Sequence, residues 1–162
     1  MPLRNLWSLN PGELRVAEKL LEIIPGSAVY FPVRDVGIDL LLVTGTKHVS
    51  IQVKESRYYE EVRHSWQQVS DANLRLGTKS KRVMPDYFIF LTYLPNVGNR
   101  PTFAERYLIV PSADIISRAS RKRLSRGKYF FYFSFEADRV SDTREDPAVD
   151  YTNFLERWDL LH

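Results

Sequence analysis

The chain has 162 residues, 44% of them apolar and 13% aromatic, enough to bury a core and too apolar for a disordered tail. Without cysteine it has no disulfide, thiolate metal site or cysteine nucleophile, which fits a reducing, cytoplasmic setting. The longest apolar run, residues 38–43, is too short for a bilayer span, and residues 1–10 have no signal-peptide core, so no membrane association is expected.

One domain over residues 1–162 is expected, with no repeat or interdomain linker. Residues 12–24 read as a helix, with Asn10 as cap, Pro11 in the first turn and Pro25-Gly26 as stop. Its apolar stripe is Leu14, Ala17, Leu20, Leu21 and Ile24. A short strand follows at residues 28–33. Gly37 then leads into the run Ile38 to Val43, and Thr44-Gly45-Thr46-Lys47 is a hairpin turn. Residues 48–54 alternate, with Val49, Ile51 and Val53 on one face and Ser50, Gln52 and Lys54 on the other. A second helix is predicted over residues 59–76, with Tyr59, Val62, Trp66, Val69 and Leu76 as its stripe. Strands are predicted at 86–93, 105–110 and 129–135, a loop at 95–99, and a short helix from Pro111. The acidic segment 136–150 reads as a surface loop. A final helix is expected to put Tyr151, Phe154, Leu155, Trp158 and Leu161 on one side. The order α-β-β-β-α-β-β-α-β-α defines an α/β fold, a mixed sheet flanked by helices.

If the two central runs pair as an antiparallel hairpin, Asp39 at the start of the first lies opposite Gln52 and Lys54 at the end of the second. A carboxylate, a second oxygen donor and an ammonium in one place can hold a divalent metal and a water beside a phosphate. A simple Asp39–Lys54 salt bridge closing the hairpin is the plainer alternative. Glu13 falls within the apolar stripe of the first helix. It either meets a partner beneath the helix or complements the helix dipole in solvent. Asp35 competes with Asp39 but precedes Gly37 in a turn.

This arrangement of Glu13 on a helix, then Asp39 and Gln52-Val53-Lys54 on hairpin strands, resembles the PD-(D/E)xK nuclease superfamily. The similarity is to its restriction-endonuclease-like and Holliday-junction-resolvase-like members. It covers residues 12–94; residues 95–162 are elaboration. The usual Glu-x-Lys is Gln-x-Lys here, a donor with less negative charge. The resemblance implies a restriction-endonuclease-like core and hydrolysis of DNA phosphodiesters with Mg²⁺ or Mn²⁺. Asp39, Gln52, the Val53 carbonyl and Glu13 would be the ligands, and Lys54 would orient or deprotonate the attacking water. Cutting two strands would call for a homodimer.

Net charge is only +3, but basic residues cluster. Arg118, Arg121, Lys122, Arg123, Arg126 and Lys128 form either a solvated face or a phosphate-binding one. Lys79, Lys81 and Arg82 read as solvated. The aromatics of residues 129–135 read as core, with alternate members open to stack bases. Gln67 and Gln68, on the predicted second helix, are weak candidates for a polar residue at the site. His48, His64 and His162 make no ligand pattern, and Leu76-Gly77-Thr78-Lys79-Ser80 lacks the order of a phosphate-binding loop. The alternative function is an inactive nuclease-fold module that binds nucleic acid, or a protein partner through its terminal helix, in a bacterial defence-type system.

Overall fold

The first helix, α1 (Pro11–Ile23), begins after Asn10 and stops before Pro25-Gly26, as the sequence predicts. The computed structural model describes residues 9–34, 36–56, 64–74, 82–96 and 102–162. The buried side of α1 is Gly12, Glu13, Val16, Ala17 and Leu20. Leu14 and Leu21, expected in the stripe, are exposed. The face is centred on Glu13 and Leu20 because Gly12 lies against the sheet, and this turns the two leucines outward.

Strands β1 (Ala28–Tyr30), β2 (Leu40–Thr44) and β3 (Lys47–Ser56) follow as an antiparallel meander. The β2–β3 register runs from Thr44↔Lys47 to Leu40↔Ile51, so the turn is where the sequence puts it. β3 then pairs in parallel with β5 (Tyr87–Asn96), and β5 pairs antiparallel with β6 (Thr102–Pro111). The resulting sheet has the order β1-β2-β3-β5-β6. β5 is covered on both faces, and its phenylalanines and aliphatic residues alternate between them.

Residues 64–74 depart from the prediction. In place of a helix they form a strand, β4 (His64–Ser70), and a single turn, α2 (Asp71–Leu74). The predicted stripe members Tyr59, Val62 and Leu76 lie outside the described residues, as do Asp35, Lys79, Lys81 and the loop 97–99. β4 alternates Ser65, Gln67 and Val69 inward against Trp66 and Gln68 outward. Its inward polar pair is satisfied across the sheets: Gln67 Nε2 donates to the Leu91 carbonyl at 3.2 Å, and Thr92 Oγ1 donates to Ser65 Oγ at 2.9 Å. Those bonds let a polar strand face be buried.

α3 (Ser112–Ala119) is the predicted short helix. β7 (Lys128–Glu136) is the aromatic strand, with Tyr129, Phe131, Phe133 and Phe135 buried. The predicted acidic loop is partly strand: β8 (Arg139–Asp142) forms a hairpin with β7 and is followed by β9 (Val149–Asp150), with turns and bends over residues 143–148 between them. The turn at Ala137, with φ of 50°, folds the chain back two residues after the predicted strand end. The second sheet has the order β4-β7-β8-β9.

The predicted final helix is two 3₁₀ turns, Thr152–Phe154 and Trp158–Leu161. Between them Leu155 is extended and Glu156 has a φ of 53°, which interrupts any helix. Leu155 bridges Leu108 of β6. The Glu156 N–H donates to the Tyr107 carbonyl, and the Tyr107 N–H donates to Glu156 Oε1 at 3.0 Å.

The larger sheet therefore carries a core on each side. One lies beneath α1 and the C-terminal turn, where Trp158 meets Tyr107 at 5.0 Å between ring centres. The other lies between the two sheets and α3, around Phe88, Phe90, Phe131 and Phe133. The architecture is a mixed α/β fold. No helix among the described residues is long and apolar enough to cross a membrane.

Arg15 of α1 clasps the edge strand through Glu105, at 2.7 Å from Nε to Oε1. Burial opposes ionisation of Glu105, but the hydrogen bonds from Arg15 and from the Tyr107 hydroxyl hold its carboxyl below the ordinary value. The contribution is therefore present above about pH 4.3, the usual glutamate pKa, and is lost as pH falls through the depressed folded value. Glu105→Gln is expected to lower stability by about 0.2–1 kcal/mol at pH 7, given the pair's partial exposure. In urea unfolding the gap between variant and wild type should close as the pH is taken below 4; a gap that persists in acid would contradict the clasp.

Candidate active site

Gly37 prepares the first site residue. It sits at φ 93°, a left-handed conformation that favours glycine, and an added Cβ would come within 3.0 Å of the Val83 carbonyl. This turn delivers Asp39 to the start of β2, where its N–H donates to the Ile51 carbonyl at 2.8 Å. Leu40 and Leu42 join the core beneath α1, while the Asp39 carboxylate turns to β3. It is 8% exposed. The hairpin places it beside Gln52, as the sequence predicts. Asp39 Oδ2 accepts from Gln52 Nε2 and from the Val53 N–H, both at 2.8 Å.

Gln52 is engaged on its other side by a residue that the sequence did not reveal. Asn73 Nδ2 donates to Gln52 Oε1 at 2.8 Å. Asn73 sits in α2, which is held by Asp71: its N–H donates to the Gly127 carbonyl, and its carboxylate accepts from the Tyr129 hydroxyl at 3.1 Å. Burial and that carboxylate push the Tyr129 hydroxyl above its ordinary pKa. Asn73 is 3% exposed, and its Oδ1 has no hydrogen-bond partner. No motif marks this residue, which only the tertiary fold brings beneath β3. Lys54 is half-buried two residues beyond Gln52, on the same face of β3 by strand alternation.

Glu13 is buried, the first of the two alternatives that its place on the helical wheel left open, and its Oε1 accepts from Asn10 Nδ2 at 2.9 Å. The start of α1 is fixed to β3 by Glu55, whose Oε2 accepts from the Gly12 N–H at 3.1 Å. A carboxylate at this helix terminus is favourable for the dipole. The approach leaves no room for a side chain at residue 12, because an added Cβ would lie 2.7–2.9 Å from three Glu55 side-chain atoms, its Cβ included. Gly12→Ala, normally favourable within a helix, is expected here to cost about 1–3 kcal/mol through overpacking. Thermal unfolding checks this, and an unchanged or raised Tm would show that Glu55 swings away freely.

Among the described residues no group of three or more His, Asp or Glu side chains is placed to share one ion. The donor set at the hairpin is thus one carboxylate with neutral oxygens around it.

The basic segment divides. Arg118 lies over the Tyr151 ring at 4.1 Å, and Lys122 is enclosed, with ion pairs to Asp142 at 2.6 Å and Glu145 at 2.7 Å. Both serve packing. Arg121, Arg123, Arg126 and Lys128 are exposed, and Lys128 donates to Gln68 Oε1 at 2.9 Å. Gln67 is committed between the sheets, and Gln68 lies on the outer face, so neither joins Asp39.

The two sheets with α1 packed on one outer face make a mixed α/β fold. Among solved structures the chain is similar to a bacterial homing endonuclease, I-Ssp6803I, with a TM-score of 0.56 and 15% identity, over 98% of this chain and 91% of that one. At that identity the likeness is one of fold. No family model matches the sequence. No curated protein matches it either.

Proposed function

We propose that the protein is a metal-dependent deoxyribonuclease of the PD-(D/E)xK type, in its Gln-x-Lys form, and that the Asp39 hairpin is its active site. The contact between Asp39 and Gln52 at 2.8 Å, on adjacent strands with Lys54 on the same face, carries the reading.

Mg²⁺ suits this donor set. It takes one or two carboxylates, keeps several waters, and its neighbouring octahedral oxygens lie about 2.9 Å apart. The Asp39–Gln52 spacing is 2.8 Å, although Gln52 presents its nitrogen there. Turning the Gln52 and Asn73 amides over leaves every heavy atom in place. It would bring Gln52 Oε1 to Asp39 and give the orphaned Asn73 Oδ1 a donor. Asp39, Gln52 and the Val53 carbonyl would hold the ion, with Glu13 directly or through water. The ion would neutralise charge on the scissile phosphate and acidify a bound water.

The chain's own residues do the rest. The Val53 N–H holds the Asp39 carboxylate, Asn73 orients Gln52, and the Lys54 ammonium orients the water and meets negative charge developing on the phosphate. DNA is the partner in this reading, and cleavage of both strands would use two copies of the chain.

A second reading is favoured by the Gln52 amide itself. It supplies no charge, and both its ends are hydrogen-bonded within the chain, to Asp39 and to Asn73. The same fold would then bind nucleic acid or a protein partner without cutting. Nicking of supercoiled and branched DNA with Mg²⁺ or Mn²⁺, wild type beside Asp39→Ala and Lys54→Ala, decides between them. Chelator-sensitive cleavage lost in both variants supports the nuclease, and no cleavage by a folded wild type supports the second reading.

A further inference from the structure

Trp66 and Phe130 face away from the larger sheet, on the outer side of the second one, and meet edge to face at 6.0 Å. They form part of the wall of an open cavity of about 1160 Å³. Its rim carries Arg121, Arg123, Arg126 and Arg144, all exposed. With Lys122, five cations line the cavity against two carboxylates, Glu145 and Asp146. One of those carboxylates, Glu145, is already paired with Lys122 at 2.7 Å. The arginine charge is therefore largely unspent among the described residues.

Arg144 is the most organised of the four. Its guanidinium lies over the Trp66 ring at 4.4 Å from the ring centre and 5.8 Å from that of Tyr132. A guanidinium stacked on an aromatic face can still present N–H donors to a phosphate. The backbone is held too, because the Arg144 N–H donates to Asp142 Oδ1 at 3.0 Å. An aromatic surface inside a ring of arginines matches a ligand that is both planar and polyanionic.

We infer that this cavity binds a single strand of nucleic acid, with phosphates on Arg121, Arg123 and Arg144 and a base against Trp66 and Phe130. A duplex hides its bases and would use only the arginines, leaving the aromatic surface without a role. The inference is independent of the Asp39 hairpin, none of whose residues lines this cavity, and does not require that the protein cleave DNA.

The test is binding of a fluorescence-silent oligothymidylate to the full chain, read by tryptophan emission and by anisotropy of a labelled copy. Wild type should bind with quenching. Arg121→Gln combined with Arg123→Gln should weaken binding about tenfold and flatten the plot of log affinity against log salt by about 1.4, as expected for two lost single-strand phosphate contacts. Trp66→Phe should keep affinity within a few-fold and lose most of the quenching. Unchanged affinity in the double variant, with its fold verified by circular dichroism, overturns the inference. So does equal affinity for a blunt duplex, or for heparin, which has no bases. Cavity variants that lose binding in a protein that never cleaves leave this inference standing and the nuclease reading fallen; cleavage lost in Asp39→Ala with unaltered binding in the cavity variants gives the reverse.

Discussion

Asp39→Ala is expected to reduce Mg²⁺-dependent cleavage by at least about 10³-fold, the order set by several kcal/mol of charge stabilisation at the phosphate. The side chain is the single carboxylate bonded to Gln52 and Val53, so nothing adjacent on β2 or β3 replaces it. Lys54→Ala should cost about 10²–10⁴-fold, the range for a positioned proton-transfer group. The two losses should not multiply, since both groups act on the same water and phosphate. Single-turnover cleavage by both variants and their combination measures this. Alanine at residue 39 also strands the Val53 N–H and the Gln52 amide, for about 1–3 kcal/mol of stability. Unfolding curves must therefore accompany the rates. A variant that remains folded and still cleaves at the wild-type rate would remove Asp39 from the chemistry.

Lys122→Ala should be the most destabilising substitution in the basic segment, at about 3–5 kcal/mol, although sequence alone groups it with the exposed arginines. Asp142 is 0% exposed and accepts from Lys122 Nζ at 2.6 Å, from the Arg144 N–H at 3.0 Å and from the Tyr132 N–H at 3.2 Å. Lys122 also pairs with Glu145 and lies 4.8 Å from the Phe131 ring centre. Removing the ammonium leaves a fully buried carboxylate with backbone donors alone. Arg121→Ala, one residue earlier but exposed, should stay within about 0.5 kcal/mol of wild type. Urea midpoints distinguish the two. Equal, small shifts would mean that Asp142 is reached by water or sheds its charge at little cost.

The hairpin was legible because its information is local. Gly37, the turn at residue 45 and the alternation of Val49, Ile51 and Val53 fix a register, and the register fixes Asp39 beside Gln52. Helical periodicity put Glu13 on the stripe but left burial and solvent exposure both open, and the stripe was centred too far toward Leu14 and Leu21. β4 was not legible. Its inward face carries Ser65 and Gln67, and the partners that make this tolerable, Thr92 and the Leu91 carbonyl, are more than twenty residues away. The tail misled for the opposite reason: Tyr151, Phe154, Leu155, Trp158 and Leu161 have helical spacing, but Glu156 is pulled into pairing with Tyr107. Asn73 joined the site only through tertiary structure, and charge counting could not separate Lys122 from its neighbours.

That pairing of the tail with β6 also governs how the molecule can meet other copies of itself. Among the described residues, β6 is the outer strand of the larger sheet on one side, and its middle is already occupied by Leu155 and Glu156. Tyr87 donates its hydroxyl to the Leu160 carbonyl and pins the end of the same segment. An incoming strand must displace this built-in cover before it can extend the sheet there. At the opposite margin stands β1, only three residues long, a poor template for fibrillar growth. The C-terminal residues thus guard this margin of the larger sheet against edge-to-edge pairing.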